Sequence, residues 1–75
     1  MLWGLTPIRV YKRAQEIEGV TPTYNVIREF GPDHDKHFIV GVYLDDNLIA
    51  EGEGKSKQEA QEEAAQSGLT AKGWE

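Results

Sequence analysis

The chain has 75 residues, no cysteine and a formal net charge of −5. A chain of this length forms one domain that buries only about 60% of its unfolded surface, and neither disulfides nor thiolate metal ligands can supplement its core. The acidic balance excludes a strong general attraction to nucleic acid. Binding of a polyanion would have to come from a few locally placed cations.

The apolar segments are too short to cross a membrane. The longest, Phe38 to Leu44, is interrupted by Gly41 and is far below the length of a bilayer-spanning helix. Residues 1–5 have neither the charged start nor the length of a secretory signal and are interpreted as a tail or linker remnant. We expect an intracellular protein without membrane contact, cytoplasmic by default, with an organellar location left open.

The first helix is predicted from Ile8 to about Glu18. Thr6-Pro7 is a typical helix start, with a capping residue followed by proline at the first helical position. Apolar side chains recur at spacings of three and four, which predicts one face packed on a sheet; they are Ile8, Val10, Tyr11, Ala14 and Ile17. Gly19 is predicted to end this helix.

Three strands are predicted next, over 24–30, 37–44 and 48–53, because these segments are rich in β-branched and aromatic residues. Residues 31–36, with the sequence GPDHDK, have strong turn chemistry. Asp45-Asp46-Asn47 predicts a tight hairpin, since these residues tolerate left-handed backbone angles.

The stretch from 52 to 65, GEGKSKQEAQEEAA, predicts a strand that runs directly into a helix. Gly52 and Gly54 permit backbone angles that a side chain would resist. Ser56 is the expected N-cap, and Glu59 three residues later completes a capping box. The helix is predicted over 57–71, although Gly68 leaves an earlier end near Ser67 open.

The small apolar stripe of Ala60, Ala64 and Ala65 would let this second helix lie close on the sheet. Leu69 belongs to the same core face, and Gly73 is the expected stop. On the second strand, Phe38, Val40 and Val42 alternate toward the helix. The predicted fold is therefore α+β, in the order α-β-β-β-α, with a three-stranded antiparallel sheet and two helices on one face. We expect one domain over 6–72, followed by a C-terminal tail over 73–75.

Lys55, Ser56, Lys57 and the free N–H groups of the first helical turn would point at one spot. This arrangement predicts an anion site suited to a phosphate backbone. The alternative is an ordinary capped helix with two solvated lysines. Glu59, Glu62 and Glu63 lie on the same helix, and we expect them to face another way than the lysines.

Several separated motifs, in this order, resemble a double-stranded RNA-binding domain, most closely the C-terminal domain of bacterial-type ribonuclease III. They are Pro22-Thr-Tyr24, the GPDH loop over 31–34 followed by Phe38, and the GEGKSK turn over 52–57 with its alanines. The resemblance spans nearly the whole chain. It implies recognition of duplex RNA by shape, across two minor grooves and the phosphates between them.

Three regions are implied to touch the duplex. In the first helix the family glutamine matches Gln15, which is implied to reach ribose hydroxyls and base edges in a minor groove. Lys12 stands where the family has glutamate and is expected to contact a phosphate instead, and Tyr11 stands where the family has a further glutamine. In the loop, His34 matches the histidine that enters a minor groove and contacts 2′-hydroxyls, with Pro32 and Asp33 shaping the loop.

The third implied region is the opening of the second helix, where the family has three lysines. Lys57 matches the first, but Gln58 and Gln61 replace the other two, and Lys55 adds a cation before Ser56. These losses, together with the acidic balance, imply a weaker binder. Gln58 can still hydrogen-bond a phosphate without supplying charge.

The sequence raises two further classes of site, a metal site and an enzyme active site. A metal site would use Asp33, His34, Asp35 and His37, which crowd one loop, but no cysteine is available and the two histidines straddle a loop-to-strand junction. For catalysis, no nucleophile has its base, and the acidic metal-binding cluster of ribonuclease III is absent. We therefore expect no enzyme activity, catalytic residue, metal or cofactor within this chain.

The favoured function is binding of double-stranded RNA, to position it for a ribonuclease III-type catalytic domain that precedes Met1. The alternative keeps the fold and makes the domain an RNA-weak module for protein interaction or scaffolding, as in a ribonuclease III-derived ribosomal protein. Gln58 and Gln61 favour the alternative, whereas the His34 loop and the Lys55-Ser-Lys57 turn favour RNA binding.

Overall fold

The computed structural model describes residues 6–74, and residues 1–5 of the predicted tail lie outside this range. The elements in chain order are α1 (Thr6–Arg13), a π-helical segment (Ala14–Glu18), β1 (Pro22–Phe30), a single 3-10 turn (Asp33–Asp35), β2 (His37–Leu44), β3 (Asn47–Gly54) and α2 (Lys57–Lys72). The predicted α-β-β-β-α order is confirmed.

The three strands form one antiparallel sheet in the order β1-β2-β3. β1 begins two residues earlier than predicted because Pro22 already pairs with Leu44, and proline is tolerated at the start of an edge strand. A register shift after Val26 places an additional residue in β1. At the predicted hairpin, Asp45 adopts a left-handed φ of 55°.

The core lies between the sheet and α2, which crosses β2 and β3, while α1 packs chiefly against α2. Its buried apolar side chains are Val10, Ala14, Val40, Val42, Leu44, Ala60, Ala64, Ala65, Leu69 and Trp74. Phe38 is half-buried and packs against this cluster. The predicted alternation of Phe38, Val40 and Val42 toward α2 is therefore confirmed.

Gly52 and Gly54 serve a different purpose from the predicted one. Neither has a positive φ, so their backbone angles are open to other residues. A Cβ on Gly52 would instead lie 2.6 Å from the carbonyl oxygen of Ala60, and a Cβ on Gly54 would lie 2.6 Å from the Ala60 nitrogen. These glycines let the backbone of α2 approach β3 closely.

The predicted apolar face of α1 is too wide. Ile8, Tyr11 and Ile17 are 50%, 50% and 55% exposed, and only Val10 and Ala14 of that set are buried. Because α1 packs against α2 rather than lying across the strands, the neighbouring surface covers only a narrow stripe. The change to π-helical spacing at Ala14 also breaks the periodicity that placed Ile17 on the buried side.

Both glycine stops are confirmed, since Gly19 and Gly73 have left-handed φ values of 68° and 70°. α2 does not end near Ser67 but continues through Gly68 to Lys72. Trp74 lies in the predicted C-terminal tail, yet its side chain is only 7% exposed, and its N–H donates to the Leu69 oxygen at 2.8 Å. The core therefore extends past the end of α2.

Candidate nucleic-acid interface

The start of α2 is capped by two reciprocal hydrogen bonds. The Ser56 hydroxyl oxygen accepts from the Glu59 N–H at 3.0 Å, as predicted for an N-cap. The Glu59 carboxylate accepts from the N–H of Lys55 at 3.0 Å, one residue before the position that a standard capping box uses. The first-turn N–H groups of Lys57 and Gln58 have no acceptor within a helix and face outward.

The cations of this turn are held differently. The Lys57 ammonium lies 5.9 Å from the centroid of the Phe38 ring and so makes a cation–π contact with β2. Lys55 and Gln58 are exposed, and Gln61 is half-buried. Lys57 is therefore the more constrained of the two lysines.

Carboxylates adjoin this surface. Glu59, Glu62 and Glu63 line a shallow depression together with Ser56, whereas Lys57 extends toward Phe38. The expected separation therefore applies to the Lys57 side chain, whereas the Glu59 carboxylate lies at the Lys55-Ser56 turn itself. An anion approaching Ser56 would still meet negative charge on one side, which weakens its attraction.

The β1–β2 loop, residues 31–36, turns sharply. Gly31 has a φ of 97°, and the Asp35 N–H donates to the Pro32 oxygen at 2.9 Å. His34 lies exposed in the 3-10 turn between Asp33 and Asp35. This placement leaves the imidazole accessible to a ligand.

Charged contacts close the base of this loop. The Lys36 ammonium lies 3.8 Å from Asp33 Oδ1 and 4.0 Å from Glu29 Oε1. His37 Nε2 lies 3.5 Å from Asp35 Oδ1. Both carboxylates beside His34 therefore have partners, Asp33 in Lys36 just before β2 and Asp35 in His37 at the start of β2.

A metal site in the β1–β2 loop is the alternative that the sequence leaves open. Within residues 6–74, no three side chains from His, Cys, Asp or Glu converge as ligands of one metal ion. The same holds for the four loop residues of the sequence-based hypothesis, which are Asp33, His34, Asp35 and His37.

Gln15, in the π-helical segment after α1, makes hydrogen bonds within the chain that the sequence did not predict. The Gln15 amide nitrogen donates to the Val20 oxygen at 3.1 Å and to Thr21 Oγ1 at 2.8 Å. Its two amide hydrogens therefore fasten the connector to β1, and its carbonyl oxygen Oε1 is the atom that can accept from a ribose hydroxyl. Lys12 is exposed. The roles of both residues stay predictions.

Two further cations of α1 were not predicted as binding residues. Arg9, Lys12 and Arg13, together with Glu16, line a second shallow depression, and Arg13 lies 3.9 Å from the Glu16 carboxylate. The spacing of Arg9, Lys12 and Arg13 by three and four residues is a signal that could have identified this basic face from the sequence.

The sheet brings two of the three regions together. Phe38, which follows the loop, pairs with Gly54 at the end of β3, and Gly54 immediately precedes the Lys55-Ser-Lys57 turn. The His34 loop and the start of α2 consequently lie at the same end of the sheet.

The sequence of residues 9–71 matches the family model described as "Double-stranded RNA binding motif". The chain belongs to this family. Its double-stranded RNA binding motif therefore accounts for most of the chain, and the resemblance to a double-stranded RNA-binding domain is confirmed.

Curated relatives extend the comparison. The chain is 48% identical over 52 residues to Ribonuclease 3 of Borreliella burgdorferi. The matched segment covers 69% of this chain and 21% of that protein. It is 50% identical over 54 residues to Ribonuclease 3 of Syntrophomonas wolfei, and this match covers 72% of this chain and 22% of that protein. The chain thus spans about a fifth of the length of these relatives.

A solved structure of Dicer from Pichia stipitis superposes with a TM-score of 0.62 at 23% identity, covering 81% of this chain and 31% of that one. At that identity the match shows the fold alone.

Among the described residues, no helix is both long and apolar enough to span a membrane.

Proposed function

We propose that this domain binds double-stranded RNA by shape, through the β1–β2 loop, the start of α2 and the exposed side of α1. The observation that carries the proposal is the location of the His34 loop and the α2 start at one end of the sheet, in a chain with a double-stranded RNA binding motif. Two separated contact regions on one surface suit a ligand with regularly spaced grooves.

His34 is the candidate minor-groove contact. Its imidazole is exposed in a loop that Pro32 and Asp33 shape. The ring offers a donor and an acceptor to 2′-hydroxyls, which are present in RNA and absent from DNA. Selectivity for RNA over DNA should therefore depend on this side chain.

The α2 start is the candidate phosphate contact. Lys55 and Lys57 supply charge, and Ser56, Gln58 and Gln61 supply neutral hydrogen-bonding groups. The outward N–H groups and the positive end of the helix dipole add to the attraction for an anion. Lys12 of α1 and the side-chain carbonyl oxygen of Gln15, in the π-helical segment that follows α1, would add further contacts.

Within a longer polypeptide, the domain would position duplex RNA for a ribonuclease III-type catalytic domain. Support comes from relatives named Ribonuclease 3, of which this chain matches only about a fifth. The chemistry of cleavage would belong to the remaining part, and this domain would contribute affinity and placement of the duplex.

A titration with a duplex of about 16 base pairs tests the proposal. The domain should bind the RNA duplex more tightly than a DNA duplex of the same sequence, and His34→Ala should weaken RNA binding and reduce that ratio. Asn25→Ala is the matched control, because Asn25 is exposed on β1 opposite Gly41, away from the loop and α2. Equal binding of RNA and DNA by the unaltered domain would refute the role of His34.

A second candidate function is protein interaction through the outer face of the sheet. Ile27 and Leu48 are 40% and 46% exposed, and their terminal methyl groups lie over Gly41. Exposed apolar side chains grouped on one face are typical of interaction surfaces. Absence of RNA binding at low salt, with self-association or partner binding that Ile27→Ser removes, would favour this function.

A further inference from the structure

His37 connects two separate parts of the chain at the base of the β1–β2 loop. Its Nε2 atom lies 3.5 Å from Asp35 Oδ1 in the loop, and its Nδ1 atom lies 3.4 Å from Glu53 Oε2 on β3. Each ring nitrogen therefore faces a carboxylate, and the two carboxylates come from different segments.

The orientation of this ring is restrained. The imidazole stacks on the Phe30 ring with centroids 5.3 Å apart and an interplanar angle of 11°. The Arg28 guanidinium lies 5.4 Å from the centroid of the same Phe30 ring. Stacking on Phe30 of β1 thus restrains the imidazole plane, and its two nitrogens lie within ion-pair distance of Asp35 and Glu53.

The chemistry of imidazole makes this contact dependent on protonation. A neutral imidazole has one N–H and one lone pair, so it can donate to only one of the two carboxylates. The other carboxylate then faces a lone pair. An imidazolium has two N–H groups and a positive charge, and it can donate to Asp35 and Glu53 together.

The remaining charges around the loop make Asp35 depend on His37. Lys36 lies beside Asp33 and Glu29, so it serves the other flank of His34. For Asp35, the ion-pair partner within residues 6–74 is His37. Loss of the His37 contact would therefore free one flank of the turn that carries His34.

We propose that protonated His37 is a positioning residue that ties the β1–β2 loop to β3 through Asp35 and Glu53, and so orients His34 for duplex RNA. The inference rests on the proposed RNA-binding function. RNA affinity should consequently decrease as the pH rises and His37 loses its proton. The loop itself should become less ordered over the same pH range, with or without RNA.

The first test needs no RNA. An NMR titration of the isotope-labelled domain from pH 5 to 8 follows the His37 ring and the backbone amides of residues 33–36. We expect the amide resonances of residues 33–36 to shift over this pH range, and the shift to be smaller in Glu53→Gln and in His37→Gln. A response that is unchanged in both variants would overturn the connection.

The second test measures RNA affinity at fixed salt over the same pH range. Two ion pairs at a partly exposed site predict that the unaltered domain loses about fivefold in affinity between the acidic and the alkaline end of this pH range. His37→Gln, an uncharged replacement, should be weak throughout and lack this component. His37→Lys, a cation that keeps its charge, should restore affinity and remain strong at pH 8.

Both variants retain His34, so any pH dependence that comes from His34 persists in them and can be subtracted. A pH profile of His37→Gln identical to that of the unaltered domain would refute the effect on RNA binding. Failure of the unaltered domain to bind RNA at any pH would refute the proposed function instead, while the RNA-free titration would still decide whether His37 ties the loop to β3.

Discussion

The buried hydroxyl of Tyr24 makes the stability of the domain depend on pH. Its hydroxyl is buried and has no hydrogen-bond partner among the described residues, although the ring packs against the core. Burial, with a smaller contribution from nearby Glu62, raises the pKa of Tyr24 from 10.0 to about 12. The folded state therefore favours the protonated phenol.

The first prediction concerns stability at alkaline pH. Because the pKa of Tyr24 is higher in the folded chain, its neutral form preserves stability below pH 10.0, and this stability is lost as the pH rises through about 12. The loss should approach about 2 kcal/mol, because solvent around the partly exposed ring screens part of the full effect. Urea unfolding from pH 9 to 12 should show that Tyr24→Phe lacks this alkaline loss of stability. At neutral pH, urea unfolding should show that the substitution stabilises the domain by about 1 kcal/mol, because it removes a buried hydroxyl without a partner.

Tyr43→Phe is the matched control on the opposite face of the sheet. It retains Tyr24 and should lose stability with pH as the unaltered domain does. The same alkaline loss in Tyr24→Phe as in Tyr43→Phe would contradict the assignment to Tyr24.

The second prediction concerns Phe38, whose ring is half-buried beneath Lys57. A fully buried phenylalanine replaced by alanine costs about 3–5 kcal/mol, so Phe38→Ala should cost about 2 kcal/mol because part of the ring remains in solvent. Chemical denaturation measures this difference. A loss well under 1 kcal/mol would mean that Phe38 contributes little to the core.

At the scale of elements, the backbones of α2 and β3 approach each other closely. It depends on residues without side chains or with only a methyl group, namely Gly52, Gly54, Ala60 and Ala64. The atoms that a Cβ on Gly52 would meet belong to the helix backbone, which cannot move without shifting α2 as a whole.

Two glycines of the same sheet supply a matched pair for the third prediction. Gly52→Ala should destabilise the domain by about 3 kcal/mol or more, because overpacking against backbone cannot be relieved locally. Gly41→Ala should cost far less, since its Cβ would meet the terminal methyl groups of Ile27 and Leu48, which can rotate away. Thermal unfolding compares the two variants, and equal losses would contradict this account of Gly52.

At the scale of the whole molecule, a net charge of −5 has to coexist with a surface that attracts phosphates. The cations available near the His34 loop and α2 are few, and Glu59, Glu62 and Glu63 adjoin them. Binding should therefore release few counterions and depend on ionic strength only modestly.

The fourth prediction follows from this charge distribution. The slope of log affinity against log salt should be about −2 to −3, and Lys55→Ala and Lys57→Ala should each flatten it by about one. Gln58→Lys with Gln61→Lys should steepen the slope and tighten binding about tenfold at low salt. Fluorescence anisotropy with a short RNA duplex measures each value.

Thr23→Lys with Asn25→Lys is the control for added charge. Both residues are exposed on β1 and pair with Tyr43 and Gly41, on the sheet face opposite α2. This variant has the same net charge as the double lysine variant of α2. Equal tightening by both would attribute the effect to net charge rather than to the start of α2.

The sequence by itself determined the elements and their order, because the signals for these features are local. Ser56 and Glu59 mark the start of α2, Gly19 and Gly73 mark helix ends, and Asp45 marks the hairpin. Each signal acts within a few residues of backbone, so no knowledge of distant contacts is required. The alternation along β2 likewise identified the side of the sheet that α2 covers.

Only the tertiary structure decided which surfaces meet. The exposure of Ile8, the burial of Trp74 and the space left by Gly52 all depend on the path of α2 over the sheet. The same reason applies to the candidate site. His34 and Lys57 could be identified from their motifs, but the contact of His37 with Glu53 joins residues 16 positions apart, and only the pairing of β2 with β3 brings them together.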